Sequence, residues 1–172
     1  MIGYHAASLI ADSYAKGYRN FDVKEAYRAC LRTAEYDTTG IITHPRVLPH
    51  LMPQAKYWKN KIGYVPCDKD NESVAKALEY AYDDWCIAQV AKKLGKTNDA
   101  AMLEKASQNY KNLFDPETRL MRGRKAVAPH AALRCHRSPG AQGPGTHAIA
   151  INTIATQAYC TSACAEKPSK PA

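Results

Sequence analysis

The chain has 172 residues, with 24 Lys and Arg against 16 Asp and Glu, so its formal net charge at pH 7 is +8. Hydrophobic residues make up 45% and charged residues 23%, which is the composition of an ordinary globular domain. No stretch reaches the roughly 20 apolar residues of a membrane helix, and the N-terminus lacks the basic and apolar regions of a signal peptide. These features exclude an integral membrane protein, a collagen and a wholly disordered chain.

The composition changes near residue 125. Residues 1–125 hold 20 basic and 15 acidic residues and 14 of the 15 aromatic residues. Residues 126–172 hold 12 Ala, 5 of the 10 Pro, one acidic residue and one aromatic residue. A segment without large apolar side chains cannot offset the entropy of ordering its backbone, about 1–2 kcal/mol per residue. We therefore predict one folded domain over 1–125 and a disordered or irregular Ala/Pro-rich tail over 126–172.

Two helices are predicted at the start of the first segment. The first runs from Tyr4 to Lys16 and ends at Gly17, a residue that tolerates the left-handed backbone at a helix C-terminus. The second runs from Val23 to Tyr36, where Asp22 and Glu25 have the spacing of a capping box. A short loop joins the two helices, so they form an αα-hairpin.

A second helical hairpin follows a Pro-punctuated loop and a short predicted helix over Leu51–Ile62. Apolar residues recur at steps of three and four from Ser73 to Leu94, which predicts a long helix ended by Gly95. A further helix is predicted from Asp99 to Leu113, because Pro116 prevents its continuation.

No run of residues alternates between apolar and polar side chains, so essentially no sheet is predicted. Helix pairs in series form either an α-solenoid or an α/α toroid. The long helix, with Tyr80, Tyr82 and Trp85 in its interior, favours the toroid and is too long for a tetratricopeptide repeat. The predicted fold class is all-α.

The carboxylates of the long helix are the first candidates for chemistry. Glu79 and Asp83 share a helical face, next to Asp84, and two carboxylates about 6.5–9.5 Å apart would suit an inverting glycosidase. Because acidic side chains are rarely buried, we favour a solvated acidic face instead. Asp68, Asp70 and Glu72 precede the helix and could contribute to a Ca²⁺ site, but helix capping is the favoured role.

The basic residues do not predict a nucleic-acid partner. The run from Arg122 to Lys125 is short, and the other basic residues are dispersed over helix exteriors and alternate with acids. A nucleic-acid footprint would be a basic stripe interleaved with aromatic residues. A solvated surface is the favoured interpretation.

Several strings of residues resemble glycoside hydrolase family 92, a family of bacterial exo-acting α-mannosidases. The strings occur in the family's order and cover about residues 1–125: Met1–His5, Tyr64–Pro66, Glu72–Trp85, Ser107–Thr118 and Met121–Gly123. The resemblance implies that the chain is part of an (α/α)6 toroid catalytic domain. It also implies Ca²⁺-dependent, inverting hydrolysis of α-mannosidic bonds in N-glycans or mannans.

The resemblance assigns no catalytic residue and no metal ligand. The family's general acid lies in an E-G-N-x-W-Q-type segment and its base in a G-N-D-D segment, and neither string occurs in this sequence. Tyr64 and Glu72 match family positions near the start of an inner helix, so they are candidate substrate-binding residues. We expect the chain alone to be inactive.

The resemblance also bears on what surrounds the chain. Family members begin with a β-sandwich domain, so that domain and the rest of the toroid are expected partners missing here. Family members are usually exported, yet this chain carries no signal, so the sequence leaves localisation unknown. Because the resemblance and the composition both change near residue 125, we expect that residues 126–172 are out of frame.

A non-enzymatic helical-repeat scaffold that binds a protein or peptide remains the alternative. A mannosidase fragment with a native site is stabilised by calcium or mannose, whereas a scaffold is indifferent to both.

Overall fold

The computed structural model describes residues 3–39 and 53–126. Five α-helices, one 3-10 helix and two very short strands lie in these residues, so the predicted all-α fold is confirmed. Their bounds are α1 Ala6–Ala15, α2 Val23–Glu35, α3 Gln54–Ile62, α4 Ser73–Lys93, α5 Thr97–Ser107, the 3-10 helix Gln108–Leu113, β1 Phe114–Asp115 and β2 Leu120–Met121. Apart from Ala126, the tail predicted to be irregular lies outside the described residues.

The helix ends follow the local signals in the sequence. The Asp22 side chain accepts hydrogen bonds from the backbone N–H groups of Lys24 and Glu25, each at 3.0 Å, and so caps α2. Gly17 and Gly95 follow α1 and α4 with φ angles of +91° and +72°, a conformation that favours glycine. None of the helices in the described ranges has the length and apolar character to cross a membrane.

Helix α4 is the centre of the described structure. It packs against α1, α2, α3, α5 and the 3-10 helix, and buried residues cover most of its circumference. One face, with Glu79, Tyr82 and Gln89, stays partly exposed. One apolar cluster surrounds Ile87 and Ala91, and a second surrounds Leu78 and Tyr80 near the start of the helix. Such a wide buried face is typical of a helix that is packed among several others.

The region after α5 differs from the prediction. The predicted helix over Asp99–Leu113 ends as an α-helix at Ser107 and continues as a 3-10 helix. 3-10 turns are frequent at α-helix ends because they tighten the last hydrogen bonds.

A two-stranded antiparallel ladder follows, although essentially no sheet was predicted. The buried carboxylate of Asp115 closes the turn between the strands. It accepts hydrogen bonds from the Glu117 N–H, the Thr118 hydroxyl and the Arg122 guanidinium at 2.9–3.0 Å. The ladder is therefore a local turn held by one side chain.

Candidate functional site

The middle of α4 carries two adjacent carboxylates, Asp83 and Asp84, that are both 0% exposed. The expectation of a solvated acidic face is therefore wrong for these two residues. They lie between the two apolar clusters, where an unpaired charge would cost several kcal/mol, so each must have partners. Those partners come from α3 and from the segment before α1, and together they form the candidate site.

Asp84 is held by Lys59 of α3 and by Tyr4. The Lys59 Nζ atom lies 2.6 Å from the Asp84 Oδ2 atom, and the Tyr4 hydroxyl donates a hydrogen bond to Oδ1. Burial raises the pKa of Asp84, and the Lys59 ammonium opposes that shift. Both carboxylate oxygens are engaged, so Asp84 joins α3, α4 and the N-terminal segment.

A second buried lysine, Lys56, lies one turn before Lys59. Its Nζ atom lies 3.6 Å from the centroid of the Tyr4 ring and donates a hydrogen bond to the Thr33 carbonyl at 3.3 Å. Burial, reinforced by the Lys59 charge, lowers the pKa of Lys56 to about 7. Two cations and two carboxylates therefore share this interior, and the aromatic face of Tyr4 stabilises the Lys56 cation.

Asp83 connects this interior to the surface. Its Oδ2 atom accepts the backbone N–H of Tyr4 at 3.0 Å, and its Oδ1 atom lies 3.3 Å from the Nδ1 atom of His5. The other nitrogen of His5, Nε2, lies 3.8 Å from a carboxylate oxygen of Glu79. Burial raises the pKa of Asp83 to about 6, against the charge of His5. The His5 and Glu79 side chains are each 39% exposed. The series of contacts Asp83–His5–Glu79, called the relay below, therefore runs from a buried carboxylate to solvent.

Gly3 is required beside this relay. A Cβ atom at this position would lie 2.5 Å from the His5 Cε1 atom, 2.8 Å from Nε2 and 2.9 Å from an Asp83 carboxylate oxygen. Since real Cβ atoms do not approach so closely, any other residue here would displace the imidazole or the chain. The absence of a side chain at Gly3 leaves room for the imidazole in this position.

The predicted substrate-binding residues Tyr64 and Glu72 lie apart from this cluster. Glu72 precedes the first turn of α4, about 16 Å from Asp83 along the helix at ~1.5 Å per residue. Its side chain makes no capping hydrogen bond and pairs with Lys76 at 3.3 Å. The Tyr64 hydroxyl donates to the Lys125 carbonyl at 3.0 Å. Their role in substrate binding stays a prediction.

The acidic residues before α4 form hydrogen bonds and ion pairs within the chain. Asp70 accepts the Glu72 backbone N–H at 2.8 Å and pairs with Lys76 at 2.7 Å, and Asp68 accepts the Ala126 N–H at 2.7 Å. No side chain makes a capping hydrogen bond to α4, so the favoured capping role is wrong, and Asp70 closes the turn before the helix instead. In residues 3–39 and 53–126 no group of three or more His, Cys, Asp or Glu side chains is arranged to hold a metal ion.

Sequence reasoning missed the buried network because its partners are distant in the chain. Lys59 and Tyr4 lie 25 and 80 positions from Asp84. One available signal was the position of the two aspartates inside a helix with apolar residues on every face. A charge in such a helix requires a buried partner.

The model of the glycosyl hydrolase family 92 catalytic domain matches residues 1–140. The chain belongs to this family. The predicted resemblance over 1–125 is thereby confirmed, and the match extends to residue 140. An inverting mannosidase of family 92 from Bacteroides thetaiotaomicron is similar in structure, with a TM-score of 0.67 and 32% identity over 80% of this chain. The described helices are accordingly part of an (α/α)6 toroid, as the sequence predicts.

Two further relatives of this family 92 chain show the same likeness. A family 92 α-mannosidase from Bacteroides thetaiotaomicron in complex with mannoimidazole has a TM-score of 0.62 and 43% identity over 84% of the chain. An uncharacterized secreted glycosidase from Arthroderma benhamiae is 32% identical over 121 residues, 65% of this chain. The chain spans 14% of that glycosidase and 17% of each of these two solved chains.

Proposed function

We propose that the catalytic domain to which this family 92 chain corresponds hydrolyses α-mannosidic bonds in N-glycans or mannans. The observation that carries the proposal is the 43% identity to an α-mannosidase whose structure contains mannoimidazole. The inverting relative supports hydrolysis with inversion. In that reaction a carboxylic acid protonates the leaving oxygen, while a carboxylate base on the opposite face of the sugar activates water.

The buried aspartates of α4 do not supply this acid and base. Both oxygens of Asp84 are engaged by Lys59 and Tyr4, and Asp83 is held by a backbone N–H and His5 with no exposed surface. A general acid or base must reach the substrate within hydrogen-bond distance. We propose that the catalytic carboxylates lie in the parts of the toroid beyond this chain, and the engagement of both buried aspartates supports this.

Calcium is proposed for the whole domain on the family resemblance alone. The described residues offer no set of three or more metal-ligating side chains, and Asp68 and Asp70 are occupied by donors of the protein. Because Ca²⁺ takes six to eight oxygen ligands, this part of the chain does not fit the ion. No step of the reaction is routed through it here.

The proposal expects the 172-residue chain alone to be inactive. The purified chain is incubated with 4-nitrophenyl α-mannoside, with added calcium or with a chelator, and released nitrophenol is measured. We expect no release above the rate without protein. Calcium-dependent release would contradict the expected inactivity, while supporting the assignment of the substrate.

A helical scaffold is the second candidate function. The observation that favours it is the exposure of large apolar side chains, with Leu9 71% and Tyr18 62% exposed. Thermal unfolding of the chain with and without mannoimidazole separates the two candidates. A mannosidase segment with part of its site is stabilised by the inhibitor, whereas a scaffold has an unchanged melting temperature.

We also propose that the parent enzyme is exported, since one relative is described as a secreted glycosidase. Fractionation of the native source, followed by detection of the protein outside the cytoplasm, tests this location.

A further inference from the structure

The relay from Asp83 to the surface has the construction of a ligand-binding unit. The buried carboxylate fixes the Nδ1 side of His5, and Nε2 is directed towards Glu79 at the half-exposed edge of the cluster. An imidazole whose one nitrogen is bonded to a carboxylate has a fixed orientation, and its other nitrogen is available to a ligand. Such preorganisation lowers the entropy lost on binding.

Gly3 packs against the same ring. A Cβ atom at Gly3 would lie 2.8 Å from Nε2, so only glycine lets the backbone approach the imidazole this closely. The chain thus combines an imidazole held by a buried carboxylate with a half-exposed neighbouring carboxylate, Glu79.

The polar atoms of this unit suit a sugar with adjacent hydroxyl groups. The Glu79 carboxylate accepts hydrogen bonds from hydroxyls, and the imidazole donates or accepts one. With 3.8 Å between the two side chains, neighbouring hydroxyls of a pyranose can each find a partner. Tyr82 lies one turn beyond Glu79 on α4, and its ring stacks with Trp85, with centroids 6.4 Å apart and planes 15° apart. The partly exposed Tyr82 ring offers apolar surface next to Glu79 for the CH groups of a sugar.

We propose that His5 and Glu79 bind the hydroxyl groups of an α-mannoside, with Asp83 as the residue that positions the imidazole. This proposal rests on the proposed function, from which it takes the identity of the sugar. His5 and Glu79 are the residues that contact the ligand. Asp83 acts only through His5.

The test uses the full 172-residue chain and methyl α-mannoside at millimolar concentration. Saturation-transfer NMR measures the transfer of magnetisation from protein to sugar, and sugar titration gives the dissociation constant. We expect binding by the wild-type chain and about tenfold weaker binding by Glu79→Gln and by His5→Gln, because each loses a charge-assisted or oriented hydrogen bond. The matched control is Glu104→Gln. Glu104 is a glutamate of similar exposure, 42% against 39%, which pairs with Lys92 in the last turn of α4.

The positioning role of Asp83 has its own readout. Asp83→Asn is expected to weaken sugar binding and to change the ¹⁵N shifts of the His5 ring, since the proton on Nδ1 loses its anionic partner. His5→Gln identifies the His5 signals by their loss. A purely structural Asp83 would leave those shifts unchanged in the folded variant.

Two results overturn the proposal. One is the absence of saturation transfer from the wild-type chain to the sugar, and the other is equal binding by wild type, Glu79→Gln and His5→Gln. Either result leaves the proposed function standing if a hybrid family 92 enzyme containing this segment hydrolyses α-mannosides. Failure of that hybrid, with sugar binding at His5 intact, would instead overturn the hydrolytic function.

Discussion

The middle and the start of α4 contain the same kind of ion pair in two environments. In the middle, Lys59 and Asp84 lie 2.6 Å apart with side chains 3% and 0% exposed. At the start, Lys76 and Asp70 lie 2.7 Å apart with side chains 16% and 17% exposed. Because the two distances are nearly equal, the ion pairs differ mainly in how far solvent can reach their charges.

Water access decides what happens when one partner is lost. In the middle of α4 the remaining charge has no solvent and becomes an uncompensated buried ion. At the start of the helix the remaining charge is hydrated, and Lys76 has a second partner in Glu72 at 3.3 Å. Loss of a partner is therefore expected to cost more in the middle of α4 than at its start, and it is in the middle that His5 is held by a buried carboxylate.

The largest expected effect comes from breaking the two pairs separately. Lys59→Met leaves Asp84 buried without its cation and is expected to lower the free energy of unfolding by about 3–5 kcal/mol. Lys76→Met, at the start of the helix, is expected to cost about 1 kcal/mol or less. Urea unfolding followed by tryptophan fluorescence measures both. Equal losses would show that burial does not distinguish the pairs.

The second effect is a difference in how stability depends on pH. Because the pKa of Lys56 is lowered to about 7 in the fold, against 10.5 in the unfolded chain, the folded state binds fewer protons between these values. Stability then rises with pH across this window, by about 4 kcal/mol from this one group. Lys56→Met removes that rise.

Lys76 gives the matched control for this pH dependence. Although burial lowers it, the hydrogen bonds and charges of Asp70 and Glu72 raise the pKa of Lys76 above 10.5. Its contribution is constant below pH 10.5 and is lost only above it, so Lys76→Met keeps the wild-type slope between pH 7 and pH 10. Urea unfolding at several pH values measures the slopes. A slope that is the same in Lys56→Met and wild type contradicts the prediction.

The smallest expected effect is the difference in stability between alanine substitutions at two glycines. Gly3→Ala forces a Cβ atom against His5 and the buried Asp83 and is expected to cost about 2 kcal/mol. Gly17→Ala meets nothing within 4 Å and carries only the strain of φ +91°, about 1 kcal/mol. The NMR signals of His5 should shift in Gly3→Ala alone. Unchanged His5 signals in that variant would mean that Gly3 does not set the ring position.

The helices could be predicted from the sequence because their signals are local. Asp22 caps α2 as predicted. Helix α4 ends at Lys93, one residue before the predicted end at Leu94. The 3-10 continuation of α5 and the burial of the Asp115 carboxylate could not be predicted in the same way. Hydrophobic periodicity reports neither the hydrogen-bond pattern of a helix end nor the tertiary contacts that bury a side chain.

The candidate site was largely beyond sequence reasoning. Glu79 and Asp83 were found as a pair on one helical face, and their contact with one His5 ring confirms that they share a face. Their environments could not be found, because the Tyr4 N–H lies 79 positions from Asp83 in the chain. Local patterns give the face of a helix, but the depth of a side chain depends on the elements packed over it.

The most direct test of the account replaces a segment of a working enzyme. The matching part of the Bacteroides thetaiotaomicron α-mannosidase, 43% identical to this chain, is exchanged for residues 1–126, and hydrolysis of 4-nitrophenyl α-mannoside is measured. The account predicts that the hybrid hydrolyses the mannoside and that Lys59→Met in the exchanged segment abolishes folding or activity. A folded hybrid without hydrolysis would contradict the assignment of this chain to an α-mannosidase domain.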